Sequence, residues 1–429
     1  MKPALRLIVV VSILFAAARV EAIPAFARKY GMSCTACHVA WPILNQQGQL
    51  FRDNGYQFGL EKDNPTALNQ AYIPISLRTV AAYQYTSTTN QTSDNGPITV
   101  KSGGVPLPPG IDVLTAGTIA KDISFLVVLT GFSPSDNASF AESAWVRLDN
   151  LAGTSWLNFL IGKFELDLPQ SSHRNVTLTS AYAAYGPRYG SVVPFDMSEN
   201  QVGVEVSGHD TRGATRYALS LVSVNGDPGG KGAWSSPLVY GHLQQAFDLD
   251  NPVLPWLRVG VFGATGWLPT TFSTDSTSGS PVPIAGTGGD YKTYSRYGAE
   301  LTGLLGHPST PVYWSAAWMK GQESADFTPG SPSPSFSGGW VEADWVPWSD
   351  MSYVATPWMF TARYDFVKQS SGPGDFTGVT VGARRYLAFG PRASTAIHVE
   401  YSSGKTKGAS SYGTDVQVQA ILAGIDFDY

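Results

Sequence analysis

From about residue 73 to the C-terminus the chain alternates between apolar and polar positions. Leu77, Thr79, Ala81, Tyr83 and Tyr85 stand against Ser76, Arg78, Val80, Ala82 and Gln84. Val202, Val204 and Val206 oppose Gln201, Gly203 and Glu205, and Leu257, Val259 and Val261 oppose Arg258 and Gly260. Trp358, Phe360, Ala362, Tyr364 and Phe366 alternate with Met359, Thr361, Arg363 and Asp365, and Ile397, Val399 and Tyr401 with His398 and Glu400. A period of two, with one apolar and often aromatic face and one charged face, suits a strand held between lipid and a wet lumen.

The pattern predicts strands near 75–85, 112–121, 123–132, 139–149, 155–165, 199–208, 214–224, 238–249, 255–266, 292–304, 311–321, 336–347, 355–367, 377–389, 392–403 and 414–428, sixteen in all. The connections test the count. Lys121-Asp122, the stretch from Gly208 to Gly213, Asp250-Asn-Pro, the stretch from Gly306 to Thr310 and Gly390-Pro391 follow even-numbered strands and carry tight-turn chemistry. After odd-numbered strands, 86–111, 166–198 and 267–291 are long and rich in Ser, Thr, Gly and Pro. Short turns at one end and long loops at the other are the asymmetry of bacterial outer-membrane barrels. The fold expected is therefore mainly β: a 16-stranded antiparallel transmembrane β-barrel over 73–429, closed so that no sheet edge is left open. The ending Ile425-Asp-Phe427-Asp-Tyr429 alternates to a terminal aromatic, like the last strand of such barrels, and Trp340, Trp345, Trp348 and Trp358 are candidates for an interfacial girdle.

Residues 1–72 do not follow this pattern. Lys2 and Arg6 precede the apolar run from Leu7 to Ala18, and Val20-Glu-Ala22 supplies small residues at a cleavage site, so 1–22 reads as a secretory signal peptide with the mature chain starting at Ile23. Composition agrees with export to an outer membrane. Charged residues are 14% of the chain and aromatics 12%, yet no apolar run after the leader is long enough for a membrane helix. With 28 Lys and Arg against 33 Asp and Glu there is no basic excess, which excludes a nucleic-acid partner.

Residues 23–72 hold the candidate chemistry. Both cysteines of the chain lie in Cys34-Thr-Ala-Cys37-His38, the attachment signature of a c-type haem. Two thiols one turn apart can add to the two vinyl groups on one porphyrin edge. The following imidazole can then sit under the iron, which makes Cys34 and Cys37 the haem anchors and His38 the proximal ligand. A structural disulfide, a thioredoxin-like pair and half a zinc site are the alternatives. A zinc ribbon needs two more Cys or His nearby and a thioredoxin-like site needs a βαβ context, and neither is present. Pro42 through Asn54-Gly55 predicts a short helix with proline in its first turn and a C-terminal stop. Phe26, Tyr30, Trp41, Phe51, Tyr56 and Phe58 are dense for so short a stretch, and the haem is their expected packing partner.

A sixth iron ligand is not selected by spacing. His173 and Met197 fall in the 166–198 connection, which is long enough to fold inward, and Met32 and the lumen-facing His398 are the other candidates. By parity the lumen also receives Arg78, Glu205, Arg216, Arg258, Arg296, Glu300, Glu342, Asp344, Arg363, Asp365 and Glu400. Such charges ordinarily satisfy one another across a porin interior, and some could instead dock the N-terminal unit or lie near the propionates.

The stretch from Ile23 through Cys34-Thr-Ala-Cys37-His38 to Asn45, continuing from Phe51 to Tyr56, resembles the fused monohaem c-type cytochrome-porin family of the bacterial outer membrane, which includes outer-membrane Fe(II) oxidases. The specific match covers about thirty-five residues. The resemblance implies a small α-helical cytochrome segment, 23–72, plugging or capping a barrel and holding one covalent heme c on Cys34, Cys37 and His38. It also implies electron transfer between an extracellular donor such as Fe(II) and a periplasmic c-type cytochrome or other acceptor, with the haem exposed toward the outer face. The second reading is a solute porin with a haem-containing plug or redox gate, and the fold alone does not choose between them.

Overall fold

The computed structural model describes residues 25–40, 42–60, 63, 74–105, 110–131, 141–188, 195–223, 237–269, 272–274, 281–283, 291–306, 310–323, 334–347, 358–370, 374–389, 394–410 and 412–428. The leader 1–22, Trp41, Trp348 and Tyr429 lie outside the described residues.

Sixteen antiparallel strands close into a barrel. They are β1 (Ile75–Gln91), β2 (Gly110–Ala120), β3 (Ile123–Gly131), β4 (Ala141–Leu148), β5 (Asn158–Phe164), β6 (Gln201–His209), β7 (Thr215–Ser223) and β8 (Pro237–Asp248). The second half comprises β9 (Trp256–Pro269), β10 (Tyr291–Leu305), β11 (Val312–Gln322), β12 (Ser335–Trp345), β13 (Trp358–Gln369), β14 (Phe376–Phe389), β15 (Ser394–Thr406) and β16 (Val416–Asp428). Each pairs with its chain neighbours, and β16 returns to β1 with Gln417 opposite Thr89 and Asp428 opposite Arg78. Closure leaves no unpaired row of backbone groups, which lipid would not tolerate.

One expected loop is in fact strand. Residues 86–111 were read as a long connection because Ser, Thr and Asn carry no apolar alternation. Instead β1 runs on to Gln91, and Ile98–Gly104 comes back along it, Val100 opposite Thr88 and Gly104 opposite Gln84. This ribbon is exposed on both faces, so a period-two pattern has no lipid to record. Gly110–Ala120 then pairs with the lower half of β1, so the two pieces occupy one position in the barrel. The long connection 165–200 is as expected, and part of 270–290 forms a small hairpin of Phe272–Thr274 with Pro281–Pro283.

The wall faces as the alternation requires. Along β13, Trp358, Phe360 and Tyr364 are exposed on the outside, while Met359, Thr361, Arg363 and Asp365 are buried inside. Ile161, Leu219, Val261, Val341 and Val399 continue the apolar outer surface around the barrel. An apolar belt of that extent on a closed sheet is a lipid-facing surface, and the chain is an outer-membrane barrel. Trp345 and Trp358 stand on this outer face, but Trp340 is 1% exposed and points inward, so it leaves the expected girdle. Its parity with Glu342 already required that.

The described residues of the 165–200 connection, 165–188 and 195–200, run through the lumen rather than over its mouth. Leu166, Leu168, Tyr182, Tyr185, Phe195 and Met197 are buried against wall residues that include Leu238, Tyr240, Met319, Phe336 and Trp340. Arg296 holds the loop backbone, donating from Nη1 to the Tyr185 carbonyl at 2.7 Å and from Nη2 to the Phe195 carbonyl at 2.6 Å, with Glu323 at 2.7 Å. On the far wall Arg363 donates to Thr177 Oγ1 and the Ser180 carbonyl, and Glu400 accepts from the Leu178 and Thr179 backbone N–H groups. Charges expected in the lumen thus mostly tie the loop to the wall, each bond being charge-assisted.

A lipid-facing charge tests the facing directly. Val341→Arg, in the middle of β12, is expected to destabilise the barrel by about 2–4 kcal/mol, and Ser337→Arg near the strand end by about 0–1 kcal/mol. Reversible denaturation in lipid vesicles would measure both.

Candidate functional site

The N-terminal segment is built from short pieces that position one another. Helix α1 (Ala25–Tyr30) leads into a 3₁₀ turn, Cys34–Ala36, in which the Cys37 N–H donates to the Cys34 carbonyl at 3.2 Å. The two cysteines therefore lie one turn apart, and neither forms a disulfide. His38–Ala40 pairs with Ile43–Leu44, and helix α2 (Gln46–Asp53) follows.

The expected helix from Pro42 begins later than the sequence suggested. Asn45 is its N-cap: the side-chain oxygen accepts from the Gly48 N–H at 2.9 Å, while Nδ2 donates to the Ala36 carbonyl at 3.1 Å. The cap leaves Ile43 and Leu44 to the short ladder with His38. Gly48 is required here, since a Cβ would stand 2.1 Å from the Cys37 carbonyl oxygen. That close approach fixes α2 against the cysteine turn. Asn54-Gly55 stops the helix as expected, Gly55 taking φ 72°.

The aromatic residues of the segment pack on one another. Phe51 meets Phe26 at 5.0 Å, Tyr30 at 5.5 Å and Phe58 at 4.4 Å between ring centroids, and Tyr56 stacks on Trp145 of β4 at 6.0 Å. Polar contacts add to the docking. Arg147 of β4 donates to the Arg52 carbonyl at 2.9 Å and, through Nε, to Asp149 at 2.6 Å. Arg216 of β7 lies 3.6 Å from Asp53 and donates to Asp167 of the inward loop at 2.6 Å. Burial alone would raise the Asp53 pKa, but the guanidinium groups of Arg216 and Arg52 outweigh it and hold the carboxyl below its usual range.

These contacts fall at the ends of β4 and β7 that carry the short turns. The segment therefore seats in the mouth that faces the periplasm in barrels of this kind. The described part of the inward loop lies between this segment and the long-loop side of the barrel. Val176 of that loop packs in one cluster with Ala40, Val346, Met359, Tyr386 and Ala396.

Between segment, wall and loop lies a cavity of about 790 Å³. Cys34, Cys37 and His38 all line it, with Phe26, Tyr30, Met32 and Asn45 on the segment side. Leu166 through Ser171 and Arg174 through Val176 contribute from the loop, and Arg147, Glu205, His209, Arg216 and Arg258 from the wall. The volume is that of a cofactor-sized site. Burial pushes the His38 imidazole down to about 4 against the pull of the Pro42 and Ile43 carbonyls, so at neutral pH it is uncharged, the form that can bind a metal. Arg258 is half-buried and has no acidic partner among the described residues; its guanidinium lies 5.1 Å from the Trp256 ring.

Of the four candidates for a further iron ligand, only Met32 lines this cavity. Met197 is fully buried in the core of the inward loop. His173 stands 3.9 Å from Glu142, and His398 lies in a separate crevice with its Nδ1 3.1 Å from Asp426. His209 was not among the candidates, having been read as part of the turn from Gly208 to Gly213. It is the last residue of β6 and shares the inward parity of Glu205 and Ser207, which was the signal available in the sequence.

No family model matches the chain, and no curated protein matches it in sequence. Solved structures resemble it in fold. An anion-selective porin from Comamonas acidovorans superposes with a TM-score of 0.51 at 10% identity, covering 83% of this chain and 99% of that one. OmpF of Salmonella typhi in complex with daunomycin gives 0.49 at 12%, covering 83% and 97%, and OmpT of Vibrio cholerae 0.46 at 13%, covering 83% and 97%. At these identities the likeness to the first extends to the porin barrel fold alone.

Arg147→Ala removes the bonds to the Arg52 carbonyl and Asp149 and is expected to weaken docking of the segment by about 1–3 kcal/mol. Hydrogen exchange of the α2 amides should then quicken by roughly 5- to 150-fold with the barrel amides unchanged.

Proposed function

We propose that this outer-membrane barrel carries one covalent c-type haem in the cavity at its short-turn mouth and serves electron transfer with a periplasmic c-type cytochrome or similar acceptor. The observation that supports this is the convergence of Cys34, Cys37 and His38 on one cofactor-sized cavity. The donor set fits the group: two cysteines one turn apart that form no disulfide, an uncharged imidazole beside them, and aromatic side chains on the same wall. Arg258, without an acidic partner among the described residues, and Arg147 and Arg216 supply cationic groups for propionates.

Bound there, the haem supplies a reversible one-electron couple. Cys34 and Cys37 fix it by thioether bonds, and His38 orients it from the proximal side. The packed loop restricts water, and the arginines compensate carboxylate charge. Fe(II) is the extracellular donor to test.

A second reading is a solute porin whose haem-bearing plug gates it. The likeness of fold to an anion-selective porin favours the channel class. The buried lumen weighs against an open pore: Trp340, Arg296, Tyr185, Phe195 and Met197 are each 1% exposed or less.

Sealed proteoliposomes with Fe(II) outside and oxidised cytochrome trapped within separate the readings. Reduction of the trapped cytochrome is expected, lost in Cys34→Ala/Cys37→Ala, with planar-bilayer conductance well below that of an open porin. Trapped cytochrome that stays oxidised beside an intact haem spectrum, together with large ion conductance, would turn the assignment to the gated porin.

A further inference from the structure

His209 stands at the end of β6 in the cavity that the cysteine motif lines. Its side chain is 3% exposed and lines the cavity that Cys34, Cys37 and His38 also line. The backbone is held on both sides by Ser155: the His209 N–H donates to the Ser155 carbonyl at 3.1 Å, and the Ser155 hydroxyl donates to the His209 carbonyl at 2.9 Å. Ring Nδ1 lies 2.8 Å from the Asp210 carbonyl oxygen. A carbonyl only accepts, so Nδ1 carries a proton, and in the neutral ring the lone pair is then on Nε2. That nitrogen is buried and makes no hydrogen bond to the described protein. An imidazole with one nitrogen donating to a carbonyl and the other free is the arrangement of metal-bound histidines, where the outer hydrogen bond fixes ring and tautomer.

A buried acceptor left unmade costs about 1–3 kcal/mol. His242, the other histidine of this part of the wall, avoids that cost by meeting both Asp167 and Glu300, and His173 and His398, whose Nε2 atoms are likewise buried without a hydrogen bond, do not line the cavity. We infer that His209 Nε2 would supply a second protein ligand to the haem iron beside His38, so that the barrel wall, and not the N-terminal segment, would complete the coordination. The inference rests on the covalent-haem reading above and deepens it. Met32, the remaining candidate in the cavity, lies two residues from an anchor on the proximal side. His209 comes from a separate element at the end of β6 and is rigidly held. A ligand supplied by the wall also couples haem attachment to seating of the segment: the coordination shell is complete only when α2 and its cysteine turn are docked.

The test uses the full chain, purified with its haem, as wild type, His209→Ala and Met32→Ala. Covalent haem content is read on denaturing gels, and iron spin state by optical and electron paramagnetic resonance spectra of the ferric form. Expected are a low-spin, bis-histidine spectrum in the wild type and in Met32→Ala, and conversion to high spin in His209→Ala at unchanged haem content. Added imidazole should return that variant to low spin, which a merely unfolded protein would not do. A low-spin spectrum that persists in His209→Ala, or is lost in Met32→Ala instead, would overturn the assignment, as would a wild type already high-spin. Wild-type protein without covalent haem would overturn the reading beneath it, and the gel separates that failure from the others.

Discussion

Every backbone polar group inside lipid must find a partner in the protein, and the whole molecule follows from that constraint. It forces the sheet to close, and closing sixteen strands encloses a space too wide for wall side chains to fill. A porin leaves that space to water. Here it is occupied by the 165–200 connection, and its occupation decides which wall residues are buried. Arg296, Arg363, Glu342 and Glu400 would be solvated in an open pore; with the loop in place they are at most 4% exposed and must be paired. They are paired largely to the loop that buries them. Breaking one partner would leave a buried charge, so the loop and its anchors stand or fall together.

The N-terminal segment depends on the barrel in the same way. Two helices of six and eight residues and a ladder of a few residues cannot bury a core alone. Its aromatic cluster is closed from outside by Trp145, and the end of α2 is held by Arg147 and Arg216. Within the segment, the Gly48 contact with the Cys37 carbonyl and the Asn45 cap lock the cysteine turn to α2. Any force that positions α2 on the wall therefore positions Cys34, Cys37 and His38 too. The geometry of the candidate site is set by the barrel rather than by the motif.

Sequence legibility divides along this line. The strands were readable to within a few residues, because lipid on one side and a charged lumen on the other impose a period of two on every one of them. Where that contrast fades, so did the reading. The polar ribbon Ile98–Gly104 looks like a loop, and Trp340 looks like a girdle residue until its parity with Glu342 is counted. The Cys34-Thr-Ala-Cys37-His38 motif was legible because its spacing is local chemistry. Its partners were not, because they are assembled from strands far apart in sequence. Parity says that Arg216, Arg258 and His209 face inward; only the seated segment says that they share a cavity with Cys34. The helix start was misjudged for a related reason, since Asn45 reaches back to Ala36 and a tertiary bond outweighed the proline signal.

The position of the cavity constrains any electron path. A donor or acceptor on the short-turn side can approach close to Cys34, Cys37 and His38, with only the segment and the periplasmic turns between. On the other side lies the packed loop. Tyr182 lines the cavity, and its ring centroid is 4.6 Å from Trp340, which in turn is 5.0 Å from Tyr185. Close packing of this sort leaves little room between the described side chains of the loop and the wall. An electron can cross such a medium, and a hydrated ion cannot. On the proposed reading, the same loop is compatible with conduction of charge alone, and the stretch it fills, rather than the cavity, would limit the rate.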